Sequence, residues 1–582
     1  MKKIELFILL FFLFSNTILK SNIVYLDPKP GSEYVNIENT ITIGFDKQVT
    51  LTKDIILKCI RVEGSKSSLH KGQIILCSNN SKIIFKPFKS FDYGEKVVVN
   101  ITGELLKYIS NNKHDFSCSF NTSKQKIEIN PFASNEIDSY SQMNSILITP
   151  PFNVTVNSNP SDGYLFLTPY NGKSYLIISD KNGIPLWSAI LQSFSGDFKK
   201  QSGNNFSYFD GALKKHFELD YNFIKTDSFY CGNGYTTDIH ELRVLSNGYA
   251  LLMAYDTQVV DMSKIITGGD TAALVFGTII QEVDDNNNVV FQWRSWDHFE
   301  ITDALHENLL AHKIDAVHGN SIDVDTDNNL ILSSRHLDEV TKINRTTGDI
   351  IWRFGGLNNQ FTYLNDSIPF HYQHAARRIS NGNITIYDNG NFHTPHYSRA
   401  AEYHLDEVNK TAELVWQYIH TPIIYGFWGG FVQRLPGGNT LISWGGTNPT
   451  ITEVTPSGNI AFEGSYPSGV YTYRAYKFQI ENFPIAVNGN QTGLPESFSL
   501  EQNYPNPFNP VTKINFNIAS SSFVELTVFD ILGREVRKLV SENKSAGRYS
   551  VIFDGNQISS GIYIYKFTAG NYSETRKMIL LK

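Results

Sequence analysis

The stretch His318–His336, H-G-N-S-I-D-V-D-T-D-N-N-L-I-L-S-S-R-H, runs directly into Leu337–Gly356, L-D-E-V-T-K-I-N-R-T-T-G-D-I-I-W-R-F-G-G. A polar start (His318, Asn320) precedes an apolar strand at Leu330–Leu332, and an Arg–His pair follows it. A second strand reaches Ile343, and a Gly-centred turn leads to Ile350–Phe354. Taken alone, this predicts short antiparallel strands joined by tight turns, with polar chemistry at the strand ends.

The same pattern recurs along the chain. Units begin at Tyr164 (Y-L-F-L-T-P-Y-N-G-K-S-Y-L-I-I-S-D-K-N-G-I-P-L-W), near 205, at Ile239 (I-H-E-L-R-V-L-S-N-G-Y-A-L-L), at His318, at Ala375 (A-A-R-R-I-S-N-G-N-I-T-I-Y) and at Trp428 (W-G-G-F-V-Q-R-L-P-G-G-N-T-L-I-S-W). Repeats of this length, each holding several short strands, predict a β-propeller, and six units predict six blades. The longer interval Asp297–Val317 contains D-A-L-H-E-N-L-L-A-H, which predicts a short capping helix.

In a propeller the first strand of each unit lines the central channel, so equivalent positions converge on the axis. His240, His318 and His374 each stand just before such a strand, and Trp428 takes that slot in the last unit. Asn320 lies two residues beyond His318, on the same side of an extended strand. Arg335 can turn back to the same mouth, with Arg377 and Arg378 nearby. Three imidazoles and an arginine, with no carboxylate cluster opposite, predict an anion site.

Outside this region the texture changes twice. Residues 23–126 alternate apolar and polar positions between regularly spaced turns, the pattern of an Ig-like β-sandwich that serves as a spacer or stabilising module. Residues 483–493 form a linker. Residues 494–582 contain N-Y-P-N-P-F-N-P-V-T-K-I-N-F, V-F-D-I-L-G-R-E-V and S-S-G-I-Y-I-Y-K-F, a second small sandwich. Residues 1–22, two lysines ahead of an apolar run, predict a signal peptide whose core is too short to span a bilayer. The whole is an all-β chain of 582 residues, 41% hydrophobic and 18% charged, which places it among folded rather than disordered proteins. Its net charge of -7, without a basic run, argues against nucleic acid. Cys59, Cys77, Cys118 and Cys231 leave a Cys59–Cys77 or Cys77–Cys118 bridge open and contain no C-x-x-C pair. Asp323, Asp325 and Asp327 have the spacing of a calcium loop but lack the glutamate that closes one.

The units D-I-H-E-L-R-V-L-S-N-G, V-H-G-N-S-I-D…L-I-L-S-S-R-H, I-I-W-R-F-G-G and Y-Q-H-A-A-R-R-I-S-N-G-N, with the closing Y-T-Y-R-A-Y-K at 471–477, resemble bacterial arylsulfate sulfotransferases over residues 127–482. That resemblance implies a six-bladed propeller that moves a sulfuryl group from an aryl sulfate to a phenolic acceptor, with no nucleotide donor, cofactor or metal. It implies His374 as the residue transiently sulfated, and His318, Asn320, Arg335 and His240 as the other matching positions. Trp428 and Phe427 are then walls for the aryl ring. Glu241, beside His240, is expected either to fix a loop or to orient His240. The 494–582 region resembles the sorting domain of type IX secretion cargo, which implies export through the periplasm and outer membrane and recognition by that machinery. Two other functions stay open: a non-catalytic surface-binding propeller, and a metal oxygenase that holds iron with the three histidines. Oligomeric state, including a homo-oligomer, also stays open.

Overall fold

In the computed structural model the described residues are 23–581, apart from 78–79, 110–113, 128–148, 192, 202, 204, 481–482, 484–496, 504–505 and 545–546. The expected signal peptide and most of the expected linker lie outside them. The chain divides into two compact units, one ending at Phe483 and one beginning at Pro484.

The first unit opens with a β-sandwich. One sheet orders Ile23–Asp27, Ile41–Phe45, Lys82–Pro87 and Gly72–Leu76; the other orders Ser68–His70, Ile60–Gly64, Lys96–Ile101 and Phe116–Asn121. Ile43, Val62, Ile83, Val97 and Phe120 fill the space between them. All four cysteines are free: Cys59 and Cys77 are buried in separate apolar clusters, so neither expected bridge forms. The sandwich is fastened to the rest of the unit by polar contacts. Tyr25 Oη donates to Gln292 O and accepts from Gln292 N, both at 2.8 Å. Arg294 Nη2 donates to the carbonyls of Glu33 and Tyr34, both at 2.9 Å.

Six sheets follow among the described residues, antiparallel except for the short strands Lys313–Asp315 and Thr362–Leu364, which pair in parallel. Their innermost strands are, in order, Tyr471–Phe478, Gly196–Lys200, Thr237–Val244, Gly319–Val324, His374–Arg378 and Phe431–Arg434. Each innermost strand adjoins the next, and the last adjoins the first, so the sheets close a ring around a channel. This is the β-propeller architecture.

Chain ends from opposite sides close the ring. Tyr471–Phe478 forms the inner strand of the first sheet, pairing Tyr476 with Phe166 and Ala475 with Leu167. Asn153–Asn157 is the outermost strand of the sixth sheet, against Ile460–Ser465. The repeat has a local cause in its turns. Asp180, Asp220 and Asp284 each accept two backbone N–H groups from the residues two and four positions on, which fixes the hairpin between successive strands. The aromatic residue that ends a unit packs between sheets: Trp293 and Trp352 are buried.

The interval Asp297–Val317 does not form the expected capping helix. It makes single 3₁₀ turns at Ser295–Asp297 and Ile301–Asp303, and a short strand, Lys313–Asp315, that pairs in parallel with Ala273–Val283. Its apolar side chains pack onto the third sheet at Met262 and Val275 instead of onto one another along a helix face.

The second unit is a sandwich of a three-stranded sheet (Ser499–Leu500, Val511–Ile518, Gly547–Asp554) and a four-stranded one (Glu535–Lys544, Ser522–Asp530, Gly561–Ala569, Tyr572–Leu580). Its core includes Ile514, Phe516, Leu526, Tyr565 and Phe567.

Candidate functional site

Five of the six innermost strands break register. Irregularities fall between Gly196 and Lys199, Thr237 and Leu242, Gly319 and Ser321, His374 and Arg377, and Thr472 and Ala475. A bulge swings the side chain out of the ladder, and here it turns the polar residues toward the mouth. His318 and Ala375 hold positive φ values of 50° and 56°, and Tyr372 and Asp338 both hold 52°. Such backbone is unfavourable for residues with a side chain and gathers where surrounding structure enforces it.

The structure brings His240, His318, His374 and Arg335 to this mouth. The His240 and His318 rings lie 5.2 Å apart, and Tyr473 stands 5.6 Å from His240 and 6.1 Å from His374, between centroids. Each histidine keeps its own acceptor. His240 Nδ1 donates to Asp238, His318 Nδ1 to Asp315 Oδ2 at 2.6 Å, and His374 Nδ1 to Asn389 Oδ1 at 2.7 Å. Among the described residues these three do not form a converging set of metal ligands. Asp238 orients His240, so of the two roles expected for Glu241, orienting His240 is not the one it takes.

Asn389 determines the tautomer of His374. Its amide nitrogen donates to Gly426 O at 2.6 Å and to Gly429 O at 3.1 Å, so its oxygen must face the imidazole. The proton therefore sits on Nδ1, and Nε2 carries the lone pair, with only the Gly429 N–H, at 3.3 Å, directed at it. Burial, then the positive charge of Arg335, hold His374 well below the ordinary imidazole value. It is neutral at pH 7, with the lone pair available.

Arg335 lies 4.1 Å above the Tyr372 ring, and its Nη2 donates to Phe427 O at 3.0 Å. Its Nη1 donates to His336 Nε2 at 2.6 Å, while His336 Nδ1 donates to Asp315 O. Burial, then His318, push His336 down to about 3, so it accepts from the arginine as a neutral ring. Arg335 Nε is buried and has no hydrogen-bond partner in the protein, leaving a charged donor for an anion.

Asn320 is fully buried, and its amide is used up by backbone. Nδ2 donates to Gln373 O at 2.8 Å and Oδ1 accepts from Ala375 N at 3.3 Å, on either side of His374. That placement makes Asn320 a clip between the fourth and fifth sheets. Trp428 stacks on Tyr473, 13° from parallel, and with it lines a cavity of about 240 Å³ together with Thr168, Tyr170, Phe194, Ser195 and Tyr471. The Phe427 ring is exposed at the rim, and its carbonyl, not its ring, meets Arg335.

Below the histidines lies a buried ion cluster. Glu241 pairs with Lys199, Arg377 and Arg474, and Asp197 accepts from Tyr476 Oη at 2.9 Å and from Lys199 at 2.8 Å. From the sequence no carboxylate cluster is expected opposite these groups; carboxylates do back them, with Asp238 on His240, Asp315 on His318, and Glu241 and Asp197 on Lys199. Arg377 points into this cluster, whereas Arg378 pairs outward with Asp325 and Glu407. The three spaced aspartates are likewise engaged: Asp323 by Arg243, and Asp325 and Asp327 by Lys342.

Sequence reasoning missed Asp238, Asp315, His336, Asn389, Tyr473 and Arg474 as parts of this site. The Y-T-Y-R element was a visible signal for Tyr473 and Arg474, and the R-H pair for His336. For Asp315 and Asn389 there was none: Asp315 stands three residues before His318 and Asn389 fifteen after His374, and neither spacing marks a contact before the strands are paired.

A family model described as arylsulfotransferase (ASST) matches residues 151–477, more than half of the chain. A secretion system C-terminal sorting domain matches 502–581 and a bacterial Ig-like domain matches 20–122. No curated protein matches the chain. Among solved structures, a protein of unknown function from Bacteroides caccae is similar at 12% identity and a TM-score of 0.35, over 55% of this chain and 100% of that one. PorZ, a surface component of the type-IX secretion system of Porphyromonas gingivalis, is similar at 9% and 0.29, over 97% and 82%. Virginiamycin B lyase from Staphylococcus aureus is similar at 12% and 0.28, over 57% and 89%.

Proposed function

The chain belongs to the arylsulfotransferase (ASST) family, and we propose that it carries the sulfuryl group of an aryl sulfate to a phenol in two displacements, through a sulfated His374. The observation that carries this reading is the Nε2 lone pair of His374, held by a locked tautomer in the field of Arg335, whose buried Nε–H has no partner in the protein.

In the first displacement a bond forms between His374 Nε2 and sulfur, and the bond from sulfur to the aryl oxygen breaks, its electron pair leaving on the phenolate. The transition state is loose, with charge spread over the sulfuryl oxygens and the departing oxygen, by analogy with phosphoryl transfer. Arg335 supplies the donor for those oxygens, in a buried setting where such hydrogen bonds are strong. His240, backed by Asp238, passes the departing phenolate its proton, while burial and then the charge of His240 hold His318 well below the ordinary imidazole value, so that it carries none to give. In the second displacement the acceptor returns a proton to the same group, its oxygen bonds to sulfur, and the electron pair of the Nε2–sulfur bond goes back to His374. Protons and charge then balance over the cycle, and no nucleotide takes part. The aromatic cavity beside Trp428 and Tyr473 takes the aryl ring.

The sorting domain marks the chain for the type IX secretion route, so it works at the cell surface or beyond it. Incubation with an aryl sulfate and a phenol tests the reading. Transfer should occur, donor alone should leave a sulfuryl adduct on the His374 peptide by mass spectrometry, and His374→Ala should lower turnover by at least about 10³-fold. Unimpaired transfer by His374→Ala would remove His374 as nucleophile.

A further inference from the structure

The insertion between the third and fourth sheets carries His306 to the rim of the mouth, where it meets two residues from other elements. His306 Nε2 lies 3.0 Å from Asp338 Oδ2, and His371 Nδ1 lies 2.8 Å from the same oxygen. Asp338 stands in the turn between Leu330–Ser334 and Glu339–Ile343, and His371 lies three residues before His374. The two ring nitrogens and the carboxylate oxygen all fall within 4.8 Å of one another.

The three side chains are held in place from outside the cluster. Asp338 is buried, and its other oxygen accepts the Tyr372 N–H at 2.7 Å, which turns Oδ2 toward the imidazoles. The backbone N–H of His371 donates to Asp388 Oδ1 at 3.0 Å, and Phe392 stacks on the His306 ring at 3.6 Å. Each imidazole nitrogen lies about 3 Å from the shared carboxylate oxygen and within 4.8 Å of the other nitrogen, a spacing that bonds of about 2.0–2.2 Å to a shared ion can draw together. The His306 and His371 side chains are 25% and 27% exposed, so one side of the cluster is open to water as a further ligand.

We propose that His306, Asp338 and His371 bind a divalent transition-metal ion, zinc being the one that two imidazoles, one carboxylate and a water suit best. Binding displaces protons from the nitrogens that now face Asp338. The bound ion ties the insertion to the fourth and fifth sheets. Glu307, next to His306, accepts from Tyr372 Oη, and Tyr372, next to His371, is the platform under Arg335. The ion is therefore a positioning device for the mouth, and its presence does not depend on the sulfuryl-transfer reading.

Calorimetric titration of ZnCl2 into tag-free, chelator-treated full-length protein, with elemental analysis after dialysis, tests this. Wild type should take up one zinc per chain in the micromolar range or tighter, and its melting temperature should rise. His306→Ala, at an exposed position, should keep the metal-free melting temperature and lose affinity by at least about tenfold. His371→Ala should lose it too, while His336→Ala and His374→Ala should keep one zinc. No uptake by wild type, full uptake by His306→Ala, or loss in His336→Ala would each overturn the assignment, the last by moving the ion to Asp315, His318 and His336.

Discussion

At His374 the atom that matters is Nε2, and a neighbour decides its state. Asn389 offers a neutral oxygen to Nδ1 because two carbonyls hold its nitrogen the other way. Asn389→Asp would place a carboxylate there, favour the imidazolium and raise the pKa of His374. We expect the acid limb of kcat/KM to move to higher pH in this variant, and kcat at pH 7 to fall by about 10²-fold or more; an unmoved acid limb would mean that Asn389 does not set the protonation of His374. In the wild type, burial and Arg335 depress His374, so the acid limb should lie below the ordinary histidine value of about 6.5.

At the scale of elements, the site depends on strands that leave their own ladders. His374 is followed by Ala375 at positive φ and by a break in register, and Asn320 from the neighbouring sheet clips the backbone on both sides of it. Removing that amide strands a buried carbonyl and a buried N–H, each costing about 1–3 kcal/mol. Asn320→Ala should lower the melting temperature and reduce kcat while leaving KM for the aryl sulfate nearly unchanged, since the amide positions His374 and does not touch the donor. A large rise in KM with kcat intact would instead make Asn320 a sulfate ligand.

Over the whole molecule, the ring is held by closure between distant strands and by the charge cluster inside the channel. Glu241 is fully buried among Lys199, Arg377 and Arg474, from three different sheets. Glu241→Gln leaves buried cations uncompensated and should destabilise the propeller by about 3–5 kcal/mol, visible in chemical denaturation. Equal stability would mean that Asp197 alone suffices. Acid should act on the same structure. Burial is the first cause that pushes His216 down to about 4 and His298 and His336 to about 3. Below about 6.5 the unfolded chain takes up these protons while the folded one does not, so stability falls as pH drops from there toward 3. A melting temperature unchanged between pH 7 and pH 4 would contradict this.

Much of this was legible in the sequence, because its causes are local. Alternating strands and Asx turns repeat at a regular interval, so the six units, the histidine at the head of three of them, and the two flanking sandwiches could be read from residues alone. The stretch from His318 to His336 supplied both the repeat and two of the groups at the mouth. Three features came only from the tertiary structure. The bulges that aim His240, Asn320 and His374 depend on pairing with a second strand. Asp315 and Tyr473 reach the histidines across sheet boundaries, and Asn389 reaches His374 from the end of the neighbouring strand. His306, Asp338 and His371 meet although they lie far apart in the chain. The physical reason is common to all three: a propeller brings its inner strand ends together by closing a ring, and the neighbours that closure creates leave no periodic trace in the sequence.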